Sequence, residues 1–261
     1  MSERARIDKA TAATMSELAP GFPRQIGPAS DTSKHDIIEL QLRPTSHLGQ
    51  TARDTLYTLW DHNIRPLAKG TEFDVPEADK REELFDATTR FLLLLRKRSA
   101  AAVSVDEANT SPHLGPENNT AAAGTDEQAK PKKKKRKKVD KLDFGPDELV
   151  GYCSFRFDVE EDAEVIYCYE LQLAISGQRR GFGRILIAEM ERIGRERGME
   201  KAMLTCISAN VPAKAFYAKM GYDLDEYDLT RITSPTKASK WATTSTKVGY
   251  YILTKHLQTP I

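Results

Sequence analysis

Residues Tyr167 to Arg197 limit what this chain can fold into more than any other stretch. They open with the apolar run Tyr167-Cys168-Tyr169-Glu170-Leu171-Gln172-Leu173 and pass into a glycine turn, Gln178-Arg179-Arg180-Gly181-Phe182-Gly183. Behind the turn, the apolar positions Ile185, Leu186, Ile187, Met190 and Ile193 fall mostly on one helical face, so the order is strand, turn, helix. The first turn of a helix has free N–H groups and the positive end of the dipole, which suits an anionic phosphate. Gly181 and Gly183 let the backbone approach such a ligand closely and take up positive φ. Taken alone, the turn is equally well a tight β–α connection.

Spacing removes two other glycine loops. A Walker loop needs Gly-Lys-Ser/Thr, and Gly183 is followed by Arg184 and Ile185. A dinucleotide fingerprint needs a third glycine where Leu186 stands. What remains, Gln/Arg-x-x-Gly-x-Gly/Ala, resembles the pyrophosphate-binding motif of the GNAT superfamily of N-acetyltransferases, which bind acetyl-CoA. Downstream, Asn210-Val211-Pro212-Ala213-Lys214-Ala215-Phe216-Tyr217-Ala218-Lys219-Met220-Gly221-Tyr222 is similar to that family's Asn-x-x-Ala-x-x-Phe-Tyr-x-x-x-Gly-Phe/Tyr signature. The resemblance implies an α/β acyl-CoA N-acyltransferase fold, with a mixed central sheet, flanking helices and a cleft where the fourth and fifth strands splay.

At 261 residues the chain can bury a full core, and one domain is expected. With 39% hydrophobic and 30% charged residues it is polar enough to carry disordered portions. The start, Met1-Ser2-Glu3-Arg4, lacks the apolar centre of a signal peptide, and the run Phe91 to Leu95 is too short to span a bilayer. Cys153, Cys168 and Cys206 lack metal-ligand spacing and sit in apolar runs, so they read as core fillers in a reducing compartment, with no metal site. Net charge hides a division. Residues 130–141 carry nine Lys or Arg and one Asp, a local +8, which leaves −7 on the rest of a chain whose total is +1. An acidic body suits a basic partner.

In order, residues 1–33 read as a disordered extension, with a short helix near Thr11–Leu18 at most. The resemblance implies that residues 34–261 form the acetyltransferase domain. It starts with a strand from His35 to Leu42, a helix from Gln50 to Asn63 with Leu56, Leu59 and Trp60 inward, a helix from Pro76 to Ala87 capped by Asp74, and a strand from Thr88 to Leu95. Residues 97–147 read as a long disordered insertion between two adjacent strands, tolerable because loop closure costs grow only logarithmically. Within it, Pro131 to Val139 resembles a monopartite nuclear import signal, which implies an import receptor as partner, residence in nucleus and cytoplasm, and nonspecific nucleic-acid contact at most. The sheet resumes as a hairpin, Glu148–Phe157 and Glu164–Leu173, followed by a helix over 183–197, a strand Lys201–Ile207 and a helix Ala213–Met220. Strands Gly221–Asp225 and Val248–Thr254, joined by a polar loop over 226–247, finish it.

Acetyl transfer needs a free amine, a polarised thioester and protonation of the departing thiolate. Glu170, in the strand that enters the glycine turn and flanked by aromatic and apolar residues, is the candidate base; desolvation there raises a carboxylate's proton affinity. An ordinary solvent-facing strand Glu is the competing reading. Asp158, Glu160, Glu161, Asp162 and Glu164 crowd the hairpin turn; such runs are commonly just solvated, but beside a cleft they draw in a cationic peptide, and alternation puts Asp158 and Glu160 on one face. Ser154-Phe155-Arg156-Phe157-Asp158-Val159-Glu160 with Val165-Ile166-Tyr167-Cys168-Tyr169-Glu170-Leu171-Gln172-Leu173 resembles the N-alpha-acetyltransferase D branch of the family, which acetylates the α-amine of histones two-A and four, whose tails begin Ser-Gly-Arg-Gly. That resemblance implies that Tyr57, Glu170 and Tyr169 surround the amine, and that Asp158, Glu160, Tyr167, Thr205 and Tyr250 contact the tail. It further implies that Leu171, Gln172, Leu173 and the turn Gln178, Arg179, Arg180, Gly181, Phe182, Gly183 hold acetyl-CoA, with Asn210 at the pantetheine arm and Tyr217 at the thiolate. A monomer transferring acetyl directly in a ternary complex is expected. The alternatives are a lysine or small-molecule acetyltransferase on the same fold, and a non-catalytic nuclear module acting through the basic tract.

Overall fold

The computed structural model describes residues 3–26, 37–97, 141–228 and 249–257. Its centre is β3 (Arg90–Lys97), in which Phe91 to Leu95 are all buried. An unbroken apolar strand demands cover on both faces. Leu92 and Leu94 enter one core, while Phe91, Leu93 and Leu95 enter another on the opposite face. Around it lie β1 (Arg24–Ile26), β2 (Ile37–Pro44), β4 (Leu149–Glu160), β5 (Ala163–Leu173), β6 (Lys201–Ile207), β7 (Asp223–Leu224) and β8 (Tyr250–His256). They form an eight-stranded sheet in the order β1-β2-β3-β4-β5-β6-β8-β7. Among the described strands only β5 and β6 run parallel.

The larger core takes residues from α1 (Glu3–Ala12), α2 (Met15–Leu18), α5 (Phe182–Glu196) and α6 (Val211–Lys219), including Ala10, Leu18, Leu186, Met190 and Tyr217. The second core lies under α3 (Gln50–Ala68) and α4 (Glu77–Leu84), which contribute Leu56, Trp60 and Leu84. α3 buries Ala52, Thr55, Leu56 and Trp60, the stripe expected of a helix covered on one side. It runs past Asn63, the expected end, and through Pro66, which forfeits one helical hydrogen bond. Arg65 holds this last turn by donating to Asp61 (2.8 Å), the Tyr57 hydroxyl (2.9 Å) and the Val75 carbonyl (2.8 Å). Pro76, not Asp74, stands at the N-cap of α4; Asp74 accepts from the Gly70 N–H at 3.1 Å instead.

Two boundaries need correcting. Residues 3–26 are not a disordered extension: they form α1, α2 and β1, and β1 pairs with β2. Ala10, Ala13, Leu18 and Ala19 of the segment are buried in the larger core, and ion pairs and hydrogen bonds to distant residues help dock it. Arg6 pairs with Glu164, Arg24 with Glu189 at 3.2 Å, and Arg90 donates to the Thr11 carbonyl at 2.7 Å. The end of the expected insertion also belongs to the domain. Phe144 is buried in the second core, Leu142 bridges Leu48, and Asp143 accepts from the Ala52 N–H of α3 at 3.0 Å. Residues 98–140, with the proposed import tract at 131–139, lie outside the described residues, as do 27–36 and 229–248. Before the last of these gaps, Asp225 N–H donates to Ile252 and Asp228 accepts from it, which ties the chain after β7 to β8. No described helix is long and apolar enough to cross a membrane.

Candidate active site

The parallel pairing of β5 with β6 covers only Val165↔Lys201 through Cys168↔Leu204. Beyond it the strands part: β5 from Glu170 stays with β4, and Thr205 to Ile207 of β6 stay with β8. Into the gap opens a cavity of about 410 Å³. Its walls include Tyr167, Tyr169, Glu170 and Gln172 of β5, Thr205 and Cys206 of β6, Trp60 of α3, Lys80 and Glu83 of α4, and Asn210 and Tyr217 beyond.

A β-bulge sets which β5 side chains reach the cavity. Register slips between Ser154↔Glu170 and Phe155↔Cys168, which leaves Tyr169 unpaired. The extra residue lets the consecutive Tyr169 and Glu170 both line the cavity, where strict alternation would send them to opposite faces. Cys168 lines the cavity yet belongs to the α5-side core, 3.6 Å from Cys153.

Glu170 is buried, with both oxygens engaged: Lys80 Nζ lies 2.6 Å from Oε1, and Gln172 Nε2 donates to Oε2 at 2.8 Å. Gln172 is itself fixed by Asn63 of α3, whose Nδ2 donates to its Oε1 at 3.1 Å and to the Leu173 carbonyl at 3.2 Å. Burial pushes the Glu170 carboxyl above the usual range, against the pull of Lys80 and Gln172. Burial also works against the Lys80 ammonium, but Glu170 and Glu83 outweigh it and hold its pKa above the usual lysine value. Each group thus favours the charged form of the other against the pull of burial.

Across the cavity the Tyr167 hydroxyl and Thr205 Oγ1 share a 2.6 Å hydrogen bond, and burial pushes the phenol up to about 12. Arg156 lies over the Tyr169 ring at 4.0 Å and donates to the Glu83 carbonyl, which joins β4 to α4 at the mouth. Glu160 lines the cavity, and its carboxyl is raised by burial and by Asp158, Glu161 and Asp225. The hairpin turns on Glu161 and Asp162, which hold φ of 46° and 64°. Two-residue turns of this hand favour Asn-Gly, because side chains in the left-handed region cost about 1–2 kcal/mol. Exchanging Glu161→Asn and Asp162→Gly together is expected to raise Tm by about 2–4 °C. A melt that stays put would mean that the native side chains make contacts worth as much as the strain.

At the other end, Gly181 has φ of 82° and opens α5 with neither a capping side chain nor an acidic residue in the first turn. Arg179 also has positive φ, at 61°. Left-handed residues thus stand on either side of Arg180, next to the free N–H groups that begin α5, and a helix start of this kind receives anions.

Residues 123–222 match the family model described as Acetyltransferase (GNAT) family. That stretch holds β4, β5, α5, β6 and α6, and over it the fold is the GNAT fold. The chain is 31% identical over 90 residues to the uncharacterized protein YxbD of Bacillus subtilis, a match covering 34% of this chain and 53% of that protein. It thus spans about half the length of the curated relative it matches. Solved structures similar to it include Arabidopsis thaliana NAA60 in complex with a bisubstrate analogue, at 10% identity and TM-score 0.45 over 85% of this chain and 99% of that one. Another is the PaiA N-acetyltransferase of Thermoplasma acidophilum in complex with coenzyme A, at 12% identity and TM-score 0.43 over 83% and 98%.

Of the residues singled out from sequence, Glu170, Tyr169, Tyr167, Glu160, Thr205, Leu171, Gln172, Asn210 and Tyr217 all line the cavity. Tyr57 does not: it packs beneath Trp60, with its hydroxyl held by Arg65 at 2.9 Å and by Asp61 at 3.3 Å. Asp158, Leu173, Tyr250 and the turn Gln178 to Gly183 also lie off the cavity wall. Tyr250 packs edge-on against Phe73, which does line it. Asn210 has a structural task as well, its side chain capping α6 through the Ala213 N–H at 3.2 Å. Cys168 and Cys206 prove to be cleft-wall residues rather than core fillers alone. Among the described residues no cluster of His, Cys, Asp or Glu is arranged to hold a metal. Lys80, Glu83 and Asn63 were missed. Lys80 and Glu83 in Glu77-Ala78-Asp79-Lys80-Arg81-Glu82-Glu83-Leu84 read as solvated helix charges, and only the helix's lack of apolar residues hints that its charges do something other than cover a core.

Proposed function

We propose that this protein is an N-terminal α-amino acetyltransferase that moves acetyl from acetyl-CoA to the N-terminal Ser of histones two-A and four, by direct transfer in a ternary complex. The observation that carries the reading is Glu170: a buried carboxylate at a cleft between parting strands, with a second carboxylate, Glu160, on the same wall. An α-amine has a pKa of about 7.7–8.0, so a modest base completes its deprotonation, whereas a lysine at about 10.4 demands more. The amine nitrogen forms its bond to the thioester carbon, the C–S bond breaks, the amine's proton passes to Glu170, the departing thiolate takes a proton from water, and Glu170 gives its proton back to the resulting hydroxide. Direct transfer fits the cleft's thiols: burial pushes Cys206 up to about 12 and Cys168 well above its usual value, so neither is a thiolate nucleophile. Glu160 and Asp158 offer charge to the tail's Arg. The α5 N-terminus with Arg179 and Arg180 offers the pyrophosphate a positive seat. The tract 131–139 would take the enzyme to the nucleus as well as the cytoplasm through an import receptor.

The test is incubation with acetyl-CoA and a Ser-Gly-Arg-Gly peptide, beside the same peptide with a blocked N-terminus and an internal Lys, with mass spectrometry to locate the acetyl group. Acetyl on the free α-amine alone is the expected result. Acetyl on lysine, or on neither peptide, overturns it.

A further inference from the structure

The ion pair between Lys80 and Glu170 joins two elements that sequence gives no reason to associate. Lys80 comes from the short polar helix α4, yet it is only 6% exposed. Its ammonium sits 2.6 Å from Glu170 Oε1, 3.1 and 3.2 Å from the Glu83 carboxylate, and 4.9 Å from the centre of the Trp60 ring. Glu170 is faced from α4 by Lys80 and Glu83, from β4 by Tyr152, and from its own strand by Cys168 and Gln172. Tyr152 and Cys168 are pushed well up by burial and by thiol hydrogen bonding respectively, so they stay neutral, and Lys80 is the one cation among these groups.

Resting on the function proposed above, we propose that Lys80 is a positioning residue for acetyl transfer: its ammonium fixes the Glu170 carboxylate on the cleft wall and keeps it in the charged form that accepts the amine's proton. A buried carboxylate without this partner protonates at higher pH. Glu83 tunes the arrangement from the outer side. It shares the ammonium with Glu170 and is 43% exposed at its side chain, so its charge opposes that of Glu170 while remaining open to solvent. Two neighbouring residues on one helix thus act on one base with opposite signs.

This sign difference makes the test. The pH profile of kcat/KM on the Ser-Gly-Arg-Gly peptide has one bend from the substrate amine near 7.7–8.0, identical for every variant, and a second at lower pH from Glu170. In Lys80→Met the second bend moves up by about one to three pH units, the effect of losing an opposite charge at contact distance. In Lys80→Arg it stays near wild type. In Glu83→Gln it moves down. A residue that merely packs α4 against the sheet moves neither bend and lowers the rate equally at all pH, and that pattern overturns the proposal. If Lys80→Met does not fold, as judged by its thermal melt, Glu83→Gln decides alone: it leaves the buried Lys80 ammonium paired with Glu170 at 2.6 Å, and an unmoved bend overturns the proposal just as firmly. Failure of the underlying reading looks different. There Glu170→Gln keeps the wild-type rate and both bends, which removes Glu170 as base before Lys80 is in question.

Discussion

Glu170→Gln lowers kcat/KM for the Ser-Gly-Arg-Gly peptide by about 10²–10⁴-fold, the range that a positioned general base contributes. Two effects have to be separated, since the substitution also disturbs a full set of hydrogen bonds. Glu170 accepts from Lys80 and from Gln172, and Gln172 cannot turn round because Asn63 holds its oxygen. A glutamine at 170 must then direct its amide N–H₂ at a donor, which costs about 1–3 kcal/mol for the unsatisfied contact. Lys80 keeps Glu83 as counter-charge, so no bare buried ammonium results. The variant should fold with reduced stability and keep its affinity for coenzyme A, because the glycine turn lies outside the disturbed network. The kinetic signature distinguishes lost chemistry from lost structure. Burial raises the carboxyl of Glu170, and only its ionised form accepts a proton, so wild-type activity is lost as pH falls through that raised value. In the variant this second bend disappears and the remaining rate follows the fraction of free amine alone. A rate within a few-fold of wild type with both bends intact would exclude Glu170 as the base.

How much of this was legible depends on whether a feature is written locally. The order of strand, glycine turn and helix around Gly181 rests on neighbouring residues, and the observed elements fall within a residue or two of expectation: β5 over Ala163–Leu173, α5 over Phe182–Glu196 and β6 over Lys201–Ile207. Phe91 to Leu95 likewise declares a strand covered on both faces. The bulge at Tyr169 leaves no such mark. Alternation read literally separates Tyr169 from Glu170, and only the resemblance to known enzymes placed them together. Lys80 shows the limit most clearly. Its sequence neighbours describe a solvated helix, and its burial follows from where α4 docks, a long-range fact. The same holds for α1, where the lack of a sustained period in a stretch punctuated by Pro and Gly suggested disorder and the ion-pair partner of Arg6 lies more than 150 residues away. Phe144, read as part of a disordered insertion, sits in the second core for the same reason.

That misreading of the N-terminus yields the largest expected change in stability. Arg6→Ala strips the ion-pair partner from Glu164, a carboxylate with no exposed surface, and is expected to destabilise the fold by about 3 kcal/mol. The figure is at the low end for breaking a buried pair, because Arg6 is itself 37% exposed at its side chain and water can follow into the space it leaves. Two consequences compound. Glu164 sits near the start of β5, and its backbone is tied to Glu200 in both directions, the Glu200 N–H donating to its carbonyl at 2.7 Å, so an unpaired charge there strains the β5–β6 junction from which the cleft opens. α1 has ten residues, too few to be a stable helix in isolation, and is ordered only while docked. Losing Arg6 therefore also loosens Ile7, Ala10 and Ala13 from the larger core. The two contributions separate in a double variant. Arg6→Ala with Glu164→Gln removes the buried charge but not the loss of docking, and should recover most of the stability if the charge dominates. Urea unfolding at constant m-value reads both numbers. A single variant within about 0.5 kcal/mol of wild type would mean that the pair contributes only what an exposed surface pair does. A double variant as weak as the single one would shift the weight from the Glu164 charge to the apolar contacts of α1.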